Sequence, residues 1–266
     1  MKRLVAGLVV SGLIVGCGSS AAAASASSAK ALRVIAIGDS LPYGRADCGN
    51  CATFIALFGK ELGRATEAKV LVRNLSEHSG IDSGGLRHEL SESSSLRSAV
   101  AGADAITVTI GHNDPPWNSY TDSCDGKGGY PNAIWSEYNA ACLTGNVTRY
   151  VTQLDSILKQ IRALRRGRPT LIRVTNDYDD LIGDPQVPKS AYPTAKRFVD
   201  AYAHKTCQVA RKYQAICIDT YHAFNGPRGS RAADALLAQD HTHPNARGHR
   251  LIAALLVRAG FSPLHR

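Results

Sequence analysis

Two short stretches of this chain carry the residue types that covalent chemistry needs. The first, Val34-Ile35-Ala36-Ile37-Gly38-Asp39-Ser40-Leu41, is a β-rich run that stops at a glycine and delivers a serine. The second, Asp240-His241-Thr242-His243-Pro244-Asn245, stands about 200 residues later and sets a carboxylate three residues before an imidazole. A hydroxyl is a weak nucleophile at neutral pH and needs an adjacent base to take its proton. An imidazole, with an ordinary pKa of about 6.5, suits that transfer. A carboxylate can hold the ring's tautomer and steady the imidazolium. Ser40, His243 and Asp240 thus supply the three parts of an acyl-transfer site. Plainer roles compete with each: Ser40 or Asp240 as helix caps, or Asp240, His241 and His243 as metal ligands. No further His, Cys or Asp group is spaced to finish a metal site, so neither a metal nor an organic cofactor is expected.

Something must carry these residues to one place. β-rich runs recur at 33–37, 70–73, 105–110, 170–174 and 215–218. Helical patterns separate them at 53–62, 86–101, 147–165, 194–213 and 246–258. Apolar strands without alternation, each followed by a helix, predict a parallel sheet covered on both faces. Five such units predict an α/β fold, a three-layer α/β/α sandwich of flavodoxin-like kind, rather than an eight-unit barrel. Ligands of open parallel sheets bind beyond the carboxyl ends of the strands. Ser40, Gly80 and Asn113 follow the first three strands and so fall on that one rim.

Four blocks in order resemble the SGNH (GDSL) hydrolase superfamily: Gly38-Asp39-Ser40-Leu41, Asn74-Leu75-Ser76-Glu77-His78-Ser79-Gly80, Gly111-His112-Asn113-Asp114 and Asp240-His241-Thr242-His243. The resemblance spans nearly all of the chain after its first thirty residues. It implies a serine nucleophile at Ser40, a triad completed by Asp240 and His243, and an oxyanion hole from the N–H of Ser40, the N–H of Gly80 and the side-chain amide of Asn113. Such donors suit a tetrahedral intermediate, and a glycine at 80 lets backbone approach substrate closely. His112 stands where the family often has a small residue, and it falls outside the expected chemistry. The connection from Pro115 to Asn146 is long for a compact domain and holds both tryptophans of the chain. Loops of this length are often functional, so Trp117 and Tyr120 are expected to line a substrate pocket, with packing of the loop onto the domain as the plainer role for these aromatics.

The first residues read as an address. Lys2 and Arg3 precede an apolar core, Leu4 to Val15, too short to span a bilayer as a mature helix. Ile14-Val15-Gly16-Cys17 looks like the lipobox of bacterial lipoproteins, which implies a signal peptide over 1–16, a lipid on Cys17 and membrane attachment through it. Secretory cleavage in the Ala21–Ala26 stretch is the competing reading. Residues 17–30, rich in Ser and Ala, read as a tether, leaving 31–266 as one hydrolase domain. Of seven cysteines, the six beyond Cys17 form an even set in an exported chain, the pattern of disulfides. Pairing of neighbours, Cys48–Cys51, Cys124–Cys142 and Cys207–Cys217, closes one local loop each. Cys48-Gly49-Asn50-Cys51 also has the form of a redox motif or half a zinc site, but no second CxxC completes the latter.

The formal charge is +9. The basic residues are scattered and lack interleaved aromatics, so no nucleic-acid partner is expected. The densest group, Lys159, Arg162, Arg165, Arg166 and Arg168, ends a helix, where cations complement the dipole and usually form a solvated face. The reading is an exported, monomeric serine esterase acting on a small-molecule, lipid or glycan ester in the bacterial envelope. The rival from another class is a lipoprotein that binds an envelope lipid or glycan on a hydrolase fold without turnover.

Overall fold

The computed structural model describes residues 31–44, 48–77, 79–118, 122–126 and 133–264. Cys17, Tyr120, the leader and the tether lie outside them. Five strands, β1 (Leu32–Gly38), β2 (Val70–Asn74), β3 (Ala105–Thr109), β4 (Leu171–Thr175) and β5 (Ile216–Ile218), pair in parallel in the order β2-β1-β3-β4-β5. Because strand side chains alternate between faces, Ile35, Ile37, Ile106, Val108, Ile172 and Val174 feed one core. Val34, Ala36, Ala105 and Leu171 feed the other. Helices α2 (Ser83–Glu92), α3 (Ser94–Gly102), α4 (Ala140–Arg165) and α5 (Tyr192–Lys212) cover the first face. Helices α1 (Phe54–Thr66), α6 (Thr220–Asn225) and α7 (Ala246–Arg258) cover the second. This is the expected three-layer α/β/α sandwich. Among the described residues, no helix is long and apolar enough to cross a membrane.

Local chemistry moves several boundaries. The pattern over 86–101 is two helices, not one. The Ser93 hydroxyl accepts the Leu96 N–H and caps α3 just as α2 ends. Helix α4 starts at Ala140 rather than near Val147, because Asn139 caps it by accepting the Ala141 and Cys142 N–H groups. The long connection is correspondingly shorter than it reads. The arginines at the end of α4 are not all a solvated face. Arg165 is buried and donates to Thr170 and to the Ala101 carbonyl, and Arg162 donates to the Tyr213 and Gln214 carbonyls. Guanidinium groups with several donors satisfy chain ends that would otherwise be buried without partners.

The structure joins Cys48 to Cys51, Cys124 to Cys142 and Cys207 to Cys217, with Cα separations of 5.5, 5.4 and 5.0 Å. The second bridge fastens the loop before α4 to that helix's first turn.

Candidate active site

Strand β1 ends where a side chain has no room. A Cβ at Gly38 would lie 1.6 Å from the Thr109 carbonyl oxygen of β3, and the residue sits at φ +139°, so glycine is required. The chain leaves the sheet there and sets Asp39 and Ser40 on the carboxyl rim. The Asp39 N–H donates to Thr109 O, and Ser40 itself is 8% exposed. Asp39 Oδ1 accepts the Leu41 N–H, and the Asn74 amide donates to Pro42 O at 2.6 Å, so the turn after Ser40 is held from both sides.

The residues after β2 and β3 are tied to each other. Asn113 Nδ2 donates to Ile81 O at 2.9 Å, which sets it beside Gly80, the preceding residue, whose φ of +76° favours glycine. The buried Asp114 carboxylate accepts the Ser83 hydroxyl and, at 3.0 Å, the Ser83 N–H at the start of α2. One of the two amide protons of Asn113 is thus used to place it.

The Asp240–His243 pair forms as its spacing suggests. His243 Nδ1 lies 2.6 Å from Asp240 Oδ2, while Asp240 Oδ1 accepts the N–H groups of Thr242 and His243 at 3.0 Å each. Burial alone would raise the Asp240 carboxyl. The His243 ring and those two N–H donors outweigh it and hold the group at about 2. Asp240 does not cap α7. That role falls to Asn245, whose side chain accepts the Arg247 and Gly248 N–H groups. The left-handed backbone at His241, φ +57°, bends the loop, and its ring lies 3.7 Å from Asp234.

Among the described residues, Cys48, Cys51 and His249 are a group of metal-donor types that gather closely. Both sulfurs there are spent on the disulfide, and the His249 Nδ1 accepts the Phe54 N–H at 3.2 Å. Burial, with the charge of His243 nearby, pushes the His249 ring down to about 4.

The expected pocket residues fare differently. Trp117 is 2% exposed and packs on Trp135, Tyr138 and Phe198, with ring centroids 5.5, 5.9 and 5.2 Å away. Its ring belongs to the interior of this face rather than to a cleft wall, because the disulfide and α5 fold the loop's aromatics inward. Tyr120 lies outside the described residues.

Sequence reasoning missed the group between these parts. His112 is buried, with Nδ1 3.0 Å from Asp177 and Nε2 3.5 Å from Asp180. Its backbone N–H donates to Asp39 Oδ2 at 3.4 Å, and Asp180 accepts the Thr242 hydroxyl at 3.2 Å. Tyr178 donates to the Thr242 carbonyl at 2.7 Å. Residues 177–180 follow β4, and nothing in their sequence spacing points at His112. The sole signal was negative: a histidine where the resembling family often has a small residue.

The turn bearing Ser40 and the Asn113–Ile81 contact follow strand ends of the parallel sheet, and the Asp240–His243 loop is tied through Thr242 to residues after β4. The chain belongs to the GDSL-like lipase/acylhydrolase family, whose model matches residues 36–251, and it is a carboxylic ester hydrolase. Solved structures share the fold. The lipase Lip_vut3 from a goat rumen metagenome is 20% identical, with TM-score 0.70, over 88% of this chain and all of that one. The acetylxylan esterase Axe2 of Geobacillus stearothermophilus is 21% identical, with TM-score 0.56, over 88% and 96%. A lipase/acylhydrolase of Enterococcus faecalis is 16% identical, with TM-score 0.56, over 86% and 94%. Among curated protein sequences none matches.

Proposed function

We propose that the chain is a serine esterase in which Ser40 attacks the ester carbonyl and His243, oriented by Asp240, takes the hydroxyl proton. The tetrahedral oxyanion is met by the N–H groups of Ser40 and Gly80 and the amide of Asn113. Collapse expels the alcohol, which leaves with the proton held by His243. Water, deprotonated by the same ring, then attacks the acyl-Ser40 ester and frees the acid. The observation that carries this reading is the 2.6 Å His243–Asp240 contact in a loop fastened to the strand rim through Thr242. Such a carboxylate leaves the far ring nitrogen as the one that exchanges protons with a nucleophile.

Ser40→Ala should remove ester hydrolysis while leaving the melting temperature near wild type, and an organophosphonate should label Ser40 alone. Full turnover by the alanine variant refutes the mechanism. Wild-type protein that binds esters or acetylated glycans without turning them over would support the binding-lipoprotein reading instead. A panel of p-nitrophenyl esters from acetyl to palmitoyl, with acetylated glycans beside it, assigns the acyl group and the alcohol.

Export and attachment belong to the same proposal. The lipobox-like Ile14-Val15-Gly16-Cys17 and the Ser/Ala-rich 17–30 support a mature chain that begins at a lipidated Cys17 and carries its 31–266 domain on a tether. Mass spectrometry of the N-terminal peptide should find a diacylglycerol on Cys17. An unmodified N-terminus within Ala21–Ala26 would show ordinary secretion.

A further inference from the structure

We propose that His112 is a positioning residue of this site, a buried cation that holds the nucleophile turn, the Asn113 amide and the His243 loop in register. The inference rests on the esterase reading above. His112 is linked to three proposed working residues, one directly along the chain and two through intervening residues. His112 precedes Asn113 in the chain. Its N–H reaches Asp39, the residue before Ser40. Its ring pairs with Asp180, which takes the hydroxyl of Thr242, the residue before His243. Through Tyr178 the same loop also holds the Thr242 carbonyl.

His112 Nδ1 is hydrogen-bonded to Asp177 and Nε2 lies 3.5 Å from Asp180, so a carboxylate faces each nitrogen and favours the doubly protonated, cationic ring. Burial disfavours that charge, yet Asp177, Asp180 and Asp39 more than compensate and raise the ring to about 10. The facing groups are those three carboxylates and the Tyr178 ring, 6.4 Å away. Removing the cation leaves several carboxylates in one buried space with nothing to balance them, a costly arrangement that the loops relieve by moving apart or by binding protons. The imidazole touches no substrate in this scheme, so its loss acts through geometry. A misplacement of about 1 Å can cost up to about 10²-fold in rate.

The test compares His112→Ala, His112→Gln and Asp180→Asn in the whole protein. It reads kcat and KM on a p-nitrophenyl ester, the rate of organophosphonate labelling of Ser40, the thermal melt, and the downfield proton resonance of the His243–Asp240 hydrogen bond. His112→Ala should stay folded at the assay temperature with kcat lower by roughly 10–100-fold and KM within about threefold. Labelling should slow by the same factor, and the downfield resonance should shift or vanish. Glutamine, which can still donate to one carboxylate, should recover part of the loss.

A folded alanine variant with wild-type kcat and an unmoved resonance overturns the proposal and leaves His112 as packing. If the alanine variant does not fold, Asp180→Asn decides. It keeps the volume, and unchanged kcat with an unmoved resonance there refutes the coupling to Thr242. If the wild type proves to hydrolyse no ester, the esterase reading fails by itself, while the resonance still reports whether His112 positions the loop.

Discussion

Two of the histidine–carboxylate assemblies among the described residues, those of His243 and His112, differ in almost every physical respect. His243 meets Asp240 at 2.6 Å across three residues of one loop, with 18% of the His243 side chain exposed. His112 meets Asp177 across 65 residues and has 7% of its side chain exposed. In the first, a single carboxylate at 2.6 Å orients the ring proposed as the base. In the second, carboxylates face both nitrogens, at 3.0 and 3.5 Å, and favour a fixed positive charge on the ring. The first ring is the proposed base and the second its proposed support.

The difference can be broken at its strong end first. His243→Ala should lower kcat by on the order of 10⁴-fold or more, as is typical when one member of such a unit is removed. Residual activity within tenfold of wild type would mean that another group is the base and that the contrast is misassigned. Next in size, Asn113→Ala should cost on the order of 10²–10³ in kcat, the usual effect of one lost oxyanion donor. If the loss appears in KM alone, the Asn113 amide positions substrate and has no part in the transition state.

A third region supplies an uncharged control. Trp117 is buried against the rings of Trp135, Tyr138 and Phe198, so Trp117→Ala should cost about 3–5 kcal/mol of stability by leaving a cavity. The ratio of kcat/KM between short- and long-chain esters should stay as in wild type. A changed ratio with little loss of stability would return Trp117 to the substrate pocket.

The smallest effects are those of pH on stability, and they run in opposite directions for the two assemblies. Asp240 is held at about 2, below the ordinary 3.8, so its contribution is present above 3.8 and is lost as pH falls toward 2. His112 is raised from 6.5 to about 10, so its contribution is full below 6.5 and is lost as pH rises through 10. Asp39, raised by burial to about 7, loses its contribution between pH 3.8 and 7 and is level above that, so it acts below the alkaline limb. Urea melts from pH 2 to pH 10.5 should trace both limbs, and His112→Gln should flatten the alkaline one. An alkaline limb of unchanged steepness in that variant would assign it to other groups.

Much of this was legible before any coordinates. The five strands were readable because buried parallel strands are continuous apolar runs, and their order along the chain with intervening helices left few topologies open. The resemblance marked Ser40, Gly80, Asn113, Asp240 and His243, and the strand pattern placed the first three beyond strand ends on one rim. Boundaries were less legible. Asn139 and Ser93 are capping residues, but a Ser- and Asn-rich sequence offers many such candidates, and only the helix that forms selects among them.

What the sequence determined by itself is local: which residues have the types that a nucleophile, a base and donors require, which runs become strands, and that Asp240 and His243 can meet within a single loop. Tertiary structure decided what depends on distance through space. It turned Trp117 inward, made Arg165 an interior cap, and brought Asp177 and Asp180 from the end of β4 onto both sides of His112. The physical reason is range. Apolar periodicity and three-residue spacings are set by a few torsions, whereas a buried charge finds its partners only once the sheet has fixed which strand ends lie side by side.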